Sequence, residues 1–285
     1  MKSHNVRPSG SPFPASIRGV FAVASVEWSK LMAQYKVRIV LAVCVAGPVA
    51  FAVAMRVQTN LPTDTLFGRS VAETGFAVPL VVLGFAALWA FPALASIVGG
   101  DLFSAEDRYG TWATVLTRSR SRAEVFAGKV VTAFVFSALA VAILGASSVA
   151  AGVLVIGPWP LIDLTGVLLA PSQAIARVVL AWVSVLAPAF GFTALAVLVS
   201  VATRSSVAGV GVPVVAGLAM QLYALVDGPE IVRRLLIATA FTDWHGLLSQ
   251  PLYYGPLVRG ASVSAAYVVV CLVCAYQLLR RRDIG

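Results

Sequence analysis

The chain has 285 residues, of which 59% are hydrophobic and 12% charged, with a formal net charge of +9 at pH 7. A soluble domain carries about 25% charged residues, and a soluble core of this length could not bury so much apolar surface, which excludes an ordinary globular domain. The basic excess sits beside the ends of long apolar stretches, where anionic lipid headgroups are the nearest partner, so the charge points to a membrane and away from nucleic acid.

Residues 1–15 lack an apolar core and read as a disordered cytoplasmic tail without a cleavable signal peptide. Residues 16–285 are expected to form a single six-span domain. In its first segment Ile17, Phe21, Ala24, Trp28, Leu31 and Tyr35 recur at spacings of three and four, one stripe of a helix. The stripe predicts an amphipathic helix in the cytoplasmic interface, its apolar side in the acyl boundary, leading straight into the first span.

Six stretches carry no charged residue: Ile39 to Met55, Ala77 to Gly100, Val130 to Ile156, Val178 to Ala202, Val207 to Val226 and Ala261 to Leu279. About 20 apolar residues rising about 1.5 Å each cross the roughly 30 Å hydrocarbon core, so each stretch predicts a transmembrane helix. Pro48, Pro79, Pro92, Pro188 and Pro213 are expected to kink them. Alternating the six spans puts 15 of the 21 basic residues on one side and 6 on the other, with the acids split evenly. Lys and Arg in short loops stay inside. Both termini are therefore expected in the cytoplasm.

The segment from Asp101 to Lys129 is too charged to enter the bilayer. Gly110-Thr111 reads as a turn and cap, after which Trp112, Val115 and Leu116 give a short apolar face ending in a basic cluster. Gly209, Gly211 and Pro213 fit close helix approach at a subunit interface or, equally, at any helix crossing within the chain. On the opposite side, Pro229 and Glu230 suit the first turn of a helix, and Ile231 to Phe241 reads as a re-entrant or interfacial segment too short to span. Trp244, Tyr253 and Tyr254 fit a headgroup-level aromatic belt.

Catalytic chemistry is sparse. The two histidines, His4 and His245, lie in the tail and in an outer loop, Cys271 and Cys274 have no His or carboxylate near them in sequence, and no phosphate-binding loop occurs. The spans hold no acid or base of the kind that couples an ion gradient to transport.

These residues resemble the membrane subunit of a type-2 ABC exporter, a permease class that includes drug, antibiotic-resistance and bacteriocin-immunity transporters. Glu106, Gly110-Thr111, Leu116, Arg122 and Lys129 are similar to that family's loop pattern, although Ser119-Arg120-Ser121-Arg122 lacks its usual proline. Glu27-Trp28-Ser29-Lys30-Leu31 is similar to the motif on its interface helix, and Arg281-Arg282-Asp283-Ile284 to its basic tail. The resemblance implies an all-α integral membrane protein with six spans, an N-terminal interface helix carrying Glu27, Trp28 and Lys30, and a short cytoplasmic coupling helix. It also implies a multi-pass cytoplasmic-membrane location, a separate ATPase subunit, a second permease subunit, and ATP coupling through Glu106, Gly110, Thr111, Arg122 and Lys129. This chain would then be no enzyme and hold no cofactor, ATP being bound by the partner. The alternative is a membrane assembly or structural subunit that transports nothing.

Overall fold

The structure is a computed structural model that describes residues 16–58, 65–111, 121–226 and 228–281. Its helices are α1 (Ile17–Ala33), α2 (Tyr35–Val57), α3 (Ala77–Phe85), α4 (Phe91–Gly99), α5 (Ser104–Tyr109), α6 (Arg122–Val155), α7 (Pro171–Ser184), α8 (Leu186–Thr203), α9 (Ser206–Ala224), α10 (Glu230–Leu235) and α11 (Gly255–Arg280). Among the described residues six helical stretches are long and apolar enough to cross a membrane: Tyr35–Val57, Ala77–Gly99, Arg122–Val155, Pro171–Thr203, Ser206–Ala224 and Gly255–Arg280. The chain is a multi-pass helical membrane protein.

Two of these stretches are broken, and proline explains both breaks. A proline ring clashes with the carbonyl four residues earlier and supplies no N–H. Pro92 therefore acts on Leu88, inside the π turn Ala86–Ala90 that separates α3 from α4, and Pro188 acts on Ser184, where α7 ends. By contrast, α2 and α9 run uninterrupted through Pro48 and Pro213.

The helix α8 is central, packing on α4, α6, α9 and α11. Small residues bring its neighbours close: a Cβ on Gly209 would overlap the Gly100 carbonyl, and one on Gly100 would overlap the Gly209 backbone. Gly209 thus serves a crossing of α4 and α9 within the chain, the second of the two roles open from sequence, while Gly211 has nothing within 4 Å of its Cβ position.

One end of the bundle carries α1, α5 and the C-terminus of α11; we call it the basic end. The Ser104 N–H donates to Ser200 Oγ at 3.1 Å, and Arg122 donates to the Arg280 carbonyl at 3.2 Å. The other, the hairpin end, holds a two-stranded antiparallel pairing that the helical reading did not foresee, Leu161–Ile162 with Leu168–Leu169. Its turn docks on a 3-10 helix, Ile237–Leu248, through Leu164 N–H to the Leu248 carbonyl at 2.8 Å.

The expected re-entrant segment is split at Leu236 into α10 and this 3-10 helix. Phe241 stacks on Phe91 and Phe192, with ring centroids 5.2 and 5.7 Å apart. Because Phe91 and Phe192 lie well inside their stretches, the 3-10 segment penetrates the bundle as a plug. Trp244, expected in the aromatic belt, is instead 1% exposed within the core, whereas Tyr253 and Tyr254 are exposed.

Candidate functional site: a buried ion cluster at the basic end

The 34-residue α6 spans about 51 Å at about 1.5 Å per residue, more than a bilayer core needs. Its first two turns, with Arg122, Glu124 and Lys129, therefore project beyond the apolar stretch and meet α1 and α5. A capping box starts the helix: Ser121 Oγ accepts from the Glu124 N–H, and the Glu124 carboxylate accepts from the Ser121 N–H. The same carboxylate also accepts from Ser16 N–H at 3.1 Å and Ser16 Oγ at 2.8 Å. Ser16 Oγ in turn caps α1 through the Gly19 N–H at 3.0 Å. One acid thus serves two helix N-termini.

The contact face of α1 overlaps the predicted stripe in part. Gly19, Glu27 and Leu31 are buried, and Val23 packs where a Cβ on Gly128 would stand. Ile17 and Phe21 are exposed, and Trp28 is half-buried against the core of the basic end. The stripe overlaps the packed face at Leu31 and Trp28 and leaves Ile17 and Phe21 exposed, because the packing also draws on two glycines and a carboxylate that no hydrophobic pattern registers.

That carboxylate belongs to a closed cluster. Lys129, 1% exposed, donates to Glu27 Oε2 at 3.1 Å, Glu106 Oε1 at 3.0 Å and the Leu102 carbonyl at 3.0 Å, which uses all three of its N–H bonds. Glu27 Oε1 accepts from Lys30 at 3.1 Å, and Glu106 Oε2 accepts from the Thr111 hydroxyl. The Phe103 ring lies 5.9 Å from the ammonium. Two cations and two anions balance, so the buried charges are both paired and hydrogen-bonded, the condition under which burial is tolerated. Burial raises the Glu106 pKa, but the Lys129 charge and the Thr111 hydroxyl outweigh it and hold the carboxyl below its ordinary value.

Five residues singled out in the sequence thus meet: Glu27 and Lys30 from α1, Glu106 and Thr111 from α5 and its exit, and Lys129 from α6. Gly110 closes α5 in the left-handed conformation at φ 62°, which favours glycine, and so turns Thr111 back onto Glu106. Arg122 stands apart, tied to the end of α11. Trp112, Val115 and Leu116, and with them the expected coupling helix, lie outside the described residues, as do residues 282–285 and the tail 1–15.

Two acids were missed. Glu124 was legible in the Ser-x-x-Glu spacing of a capping box. Asp101 was not: it accepts from Arg108 at 2.7 Å, from Ser206 at 2.6 Å and from Lys36, joining the starts of α2 and α9 to α5. Burial raises its pKa, and the bonds from Lys36 and Ser206 with the Arg108 charge bring it below the ordinary value. Beside these clusters a cavity of about 770 Å³ opens between α1 and α5, lined by Val26, Lys30, Asp101, Glu106 and Tyr109 among others.

Residues 25–285 match the profile of a family described as protein of unknown function, DUF2705. The chain belongs to that family. No curated protein matches it. The DUF2705 match begins two residues before Glu27 and therefore takes in every member of the ion cluster. The acids of the cluster accept from cations, and among the described residues no group of three or more His, Cys, Asp or Glu could hold a metal. What the arrangement can do is mechanical, since it joins α1, α5 and α6 into one unit.

Proposed function

We propose that this chain is the permease subunit of an ATP-dependent exporter of the type-2 ABC class. It would move an amphiphilic or apolar cargo across the cytoplasmic membrane together with a separate ATPase and a second permease. The observation that carries the reading is the Lys129 cluster: residues matching separate parts of the family's pattern, as far as 102 positions apart, meet in one ion network. Chance matches to a motif have no reason to converge in space.

On this reading the basic end faces the cytoplasm, in keeping with the 15 to 6 distribution of basic residues. The ATPase would dock at the open groove between α1 and α5. A push on α5 would reach Lys129 through Glu106 and Leu102, and so the base of α6. Because α6 is unbroken from Arg122 to Val155, displacement at its base would be carried across the bilayer to the hairpin end. ATP would be bound and hydrolysed by the partner.

The test is reconstitution with the ATPase that co-purifies. Glu106→Ala, Gly110→Pro and Arg122→Ala should each lower cargo-stimulated ATP hydrolysis while the permease still inserts. Charge-assisted hydrogen bonds of this kind are worth about 1.5–3 kcal/mol. Hydrolysis by the purified permease alone, or full transport by the triple variant, would overturn the assignment.

A further inference from the structure

The plug at the hairpin end is built unlike its surroundings. A 3-10 helix rarely exceeds four residues because its hydrogen bonds are poorly aligned, yet this one runs for 12, from Ile237 to Leu248. It is bounded by extended residues, Leu236 at ψ 117° and Ser249 at ψ 160°. Its place is held by shape. Gly191 leaves room for Ile237, Gly246 for the Tyr253 backbone, and Gly260 for the Asp243 carboxylate, and a Cβ at any of the three would collide. An element of marginal backbone stability, seated by side chains and bracketed by extended residues, is a candidate for local opening.

Asp243 is the acid on the plug's packed side, its side chain 9% exposed. One oxygen lies against the Gly260 backbone of α11, and the other is 3.5 Å from Arg259, at the limit of a hydrogen bond. Asp163 of the docked hairpin accepts from Thr165 and Val167, and the other charged groups of the packed elements bond elsewhere, Arg233 keeping a buried Nε without a partner. Arg177 on α7 donates to the Leu247 and Ser249 carbonyls, and on α10 Arg234 pairs with Glu230 while Arg233 donates to the Gly228 carbonyl. His245, on the plug itself, lies against Trp244. The packed helices α8 and α9 carry no charged residue. The seat therefore suits a neutral carboxyl better than a carboxylate.

We propose that the plug is a proton-locked gate: a proton on Asp243 holds it shut against α11, and loss of that proton loosens it. Burial pushes the Asp243 pKa up to about 6 from its ordinary 3.8, Arg259 offsetting only part of the effect. The sign follows from linkage. The seated state binds the proton more tightly than a released plug would, so acid favours closure and closure weakens as pH rises through about 6. A simple salt-bridge latch would respond in the opposite direction. That the gate admits or releases cargo rests on the exporter reading; the equilibrium of the plug does not.

The test uses the full chain in proteoliposomes, with Cys44, Cys271 and Cys274 replaced by Ser. Maleimide labelling of Ala238→Cys, buried on the plug, is divided by that of Gln250→Cys, exposed beyond it, so that thiolate titration cancels. The ratio should fall about tenfold from pH 8 to pH 5. Asp243→Asn should keep the ratio low and flat, and Arg259→Gln should move the transition to higher pH. A ratio that rises in acid, stays flat in the parent, or still titrates in Asp243→Asn overturns the proposal. Because the readout contains no ATPase and no cargo, its failure is separate from failure of the exporter assignment.

Discussion

Replacing Lys129 by Met is the sharpest perturbation of the ion cluster. The change removes the ammonium and keeps most of the volume, leaving the Glu27 and Glu106 side chains, 8% and 9% exposed, with only Lys30 and Thr111 as partners. Breaking a buried pair from one side costs about 3–5 kcal/mol, mostly from the uncompensated charge that remains. Here that cost falls on the docking of α1 and α5 against α6, so α1 should open locally about two to four orders of magnitude more often while the spans stay folded. Trypsin cleavage after Arg18, followed in membranes open on the basic side, reads that opening. Lys30→Met is the internal control. Its side chain is 54% exposed, and an exposed pair is worth about 0–1 kcal/mol, so cleavage should rise less than about fivefold. If the two variants accelerate cleavage equally, or Lys129→Met leaves it unchanged, the cluster does not hold α1 in place.

Acid should release the same contact, but late. Glu106 and Asp101 are both held below their ordinary values of 4.5 and 3.8, so their contribution is complete above those values and is lost as pH falls below them. Protection of α1 from pepsin should therefore be flat down to about pH 5 and be lost only in stronger acid, as Glu106 protonates below its ordinary value. Gly209→Val should separate α4 from α9 and cost about 1–3 kcal/mol or more, measurable as reduced thermal stability in detergent, whereas Gly211→Ala should be within about 0.5 kcal/mol of the parent. Single cysteines at Ser119 and Ser249 should label from opposite sides of the membrane, and labelling of both from outside would overturn the proposed topology.

Length, composition and charge placement determined the six spans, because crossing a bilayer is a local requirement that each segment must meet with its own residues. The structure extends the charge-free stretches to complete helices, adding Tyr35 to Arg38 ahead of the first and Arg122 to Lys129 ahead of the third. The prolines were equally legible as candidates, but tertiary packing decided which of them break a helix. Pro92 and Pro188 lie beside breaks, and Pro48 and Pro213 sit in uninterrupted helices.

The site was legible only as a set of separate motifs. Sequence placed Glu27, Glu106 and Lys129 in three segments, and nothing local says that a buried lysine will be neutralised by acids 102 and 23 positions away. The apolar stripe of α1 marks Leu31 and Trp28 and no more of its contact face, since Gly19 and Gly128 permit close approach by having no side chain and Glu27 is buried where Lys129 meets it. Periodicity reports which side of a helix avoids water. Which side another helix occupies depends on shape and on charges brought from elsewhere in the chain, and for α1, for the Gly100 and Gly209 crossing and for the plug around Phe241, only the tertiary structure supplied them.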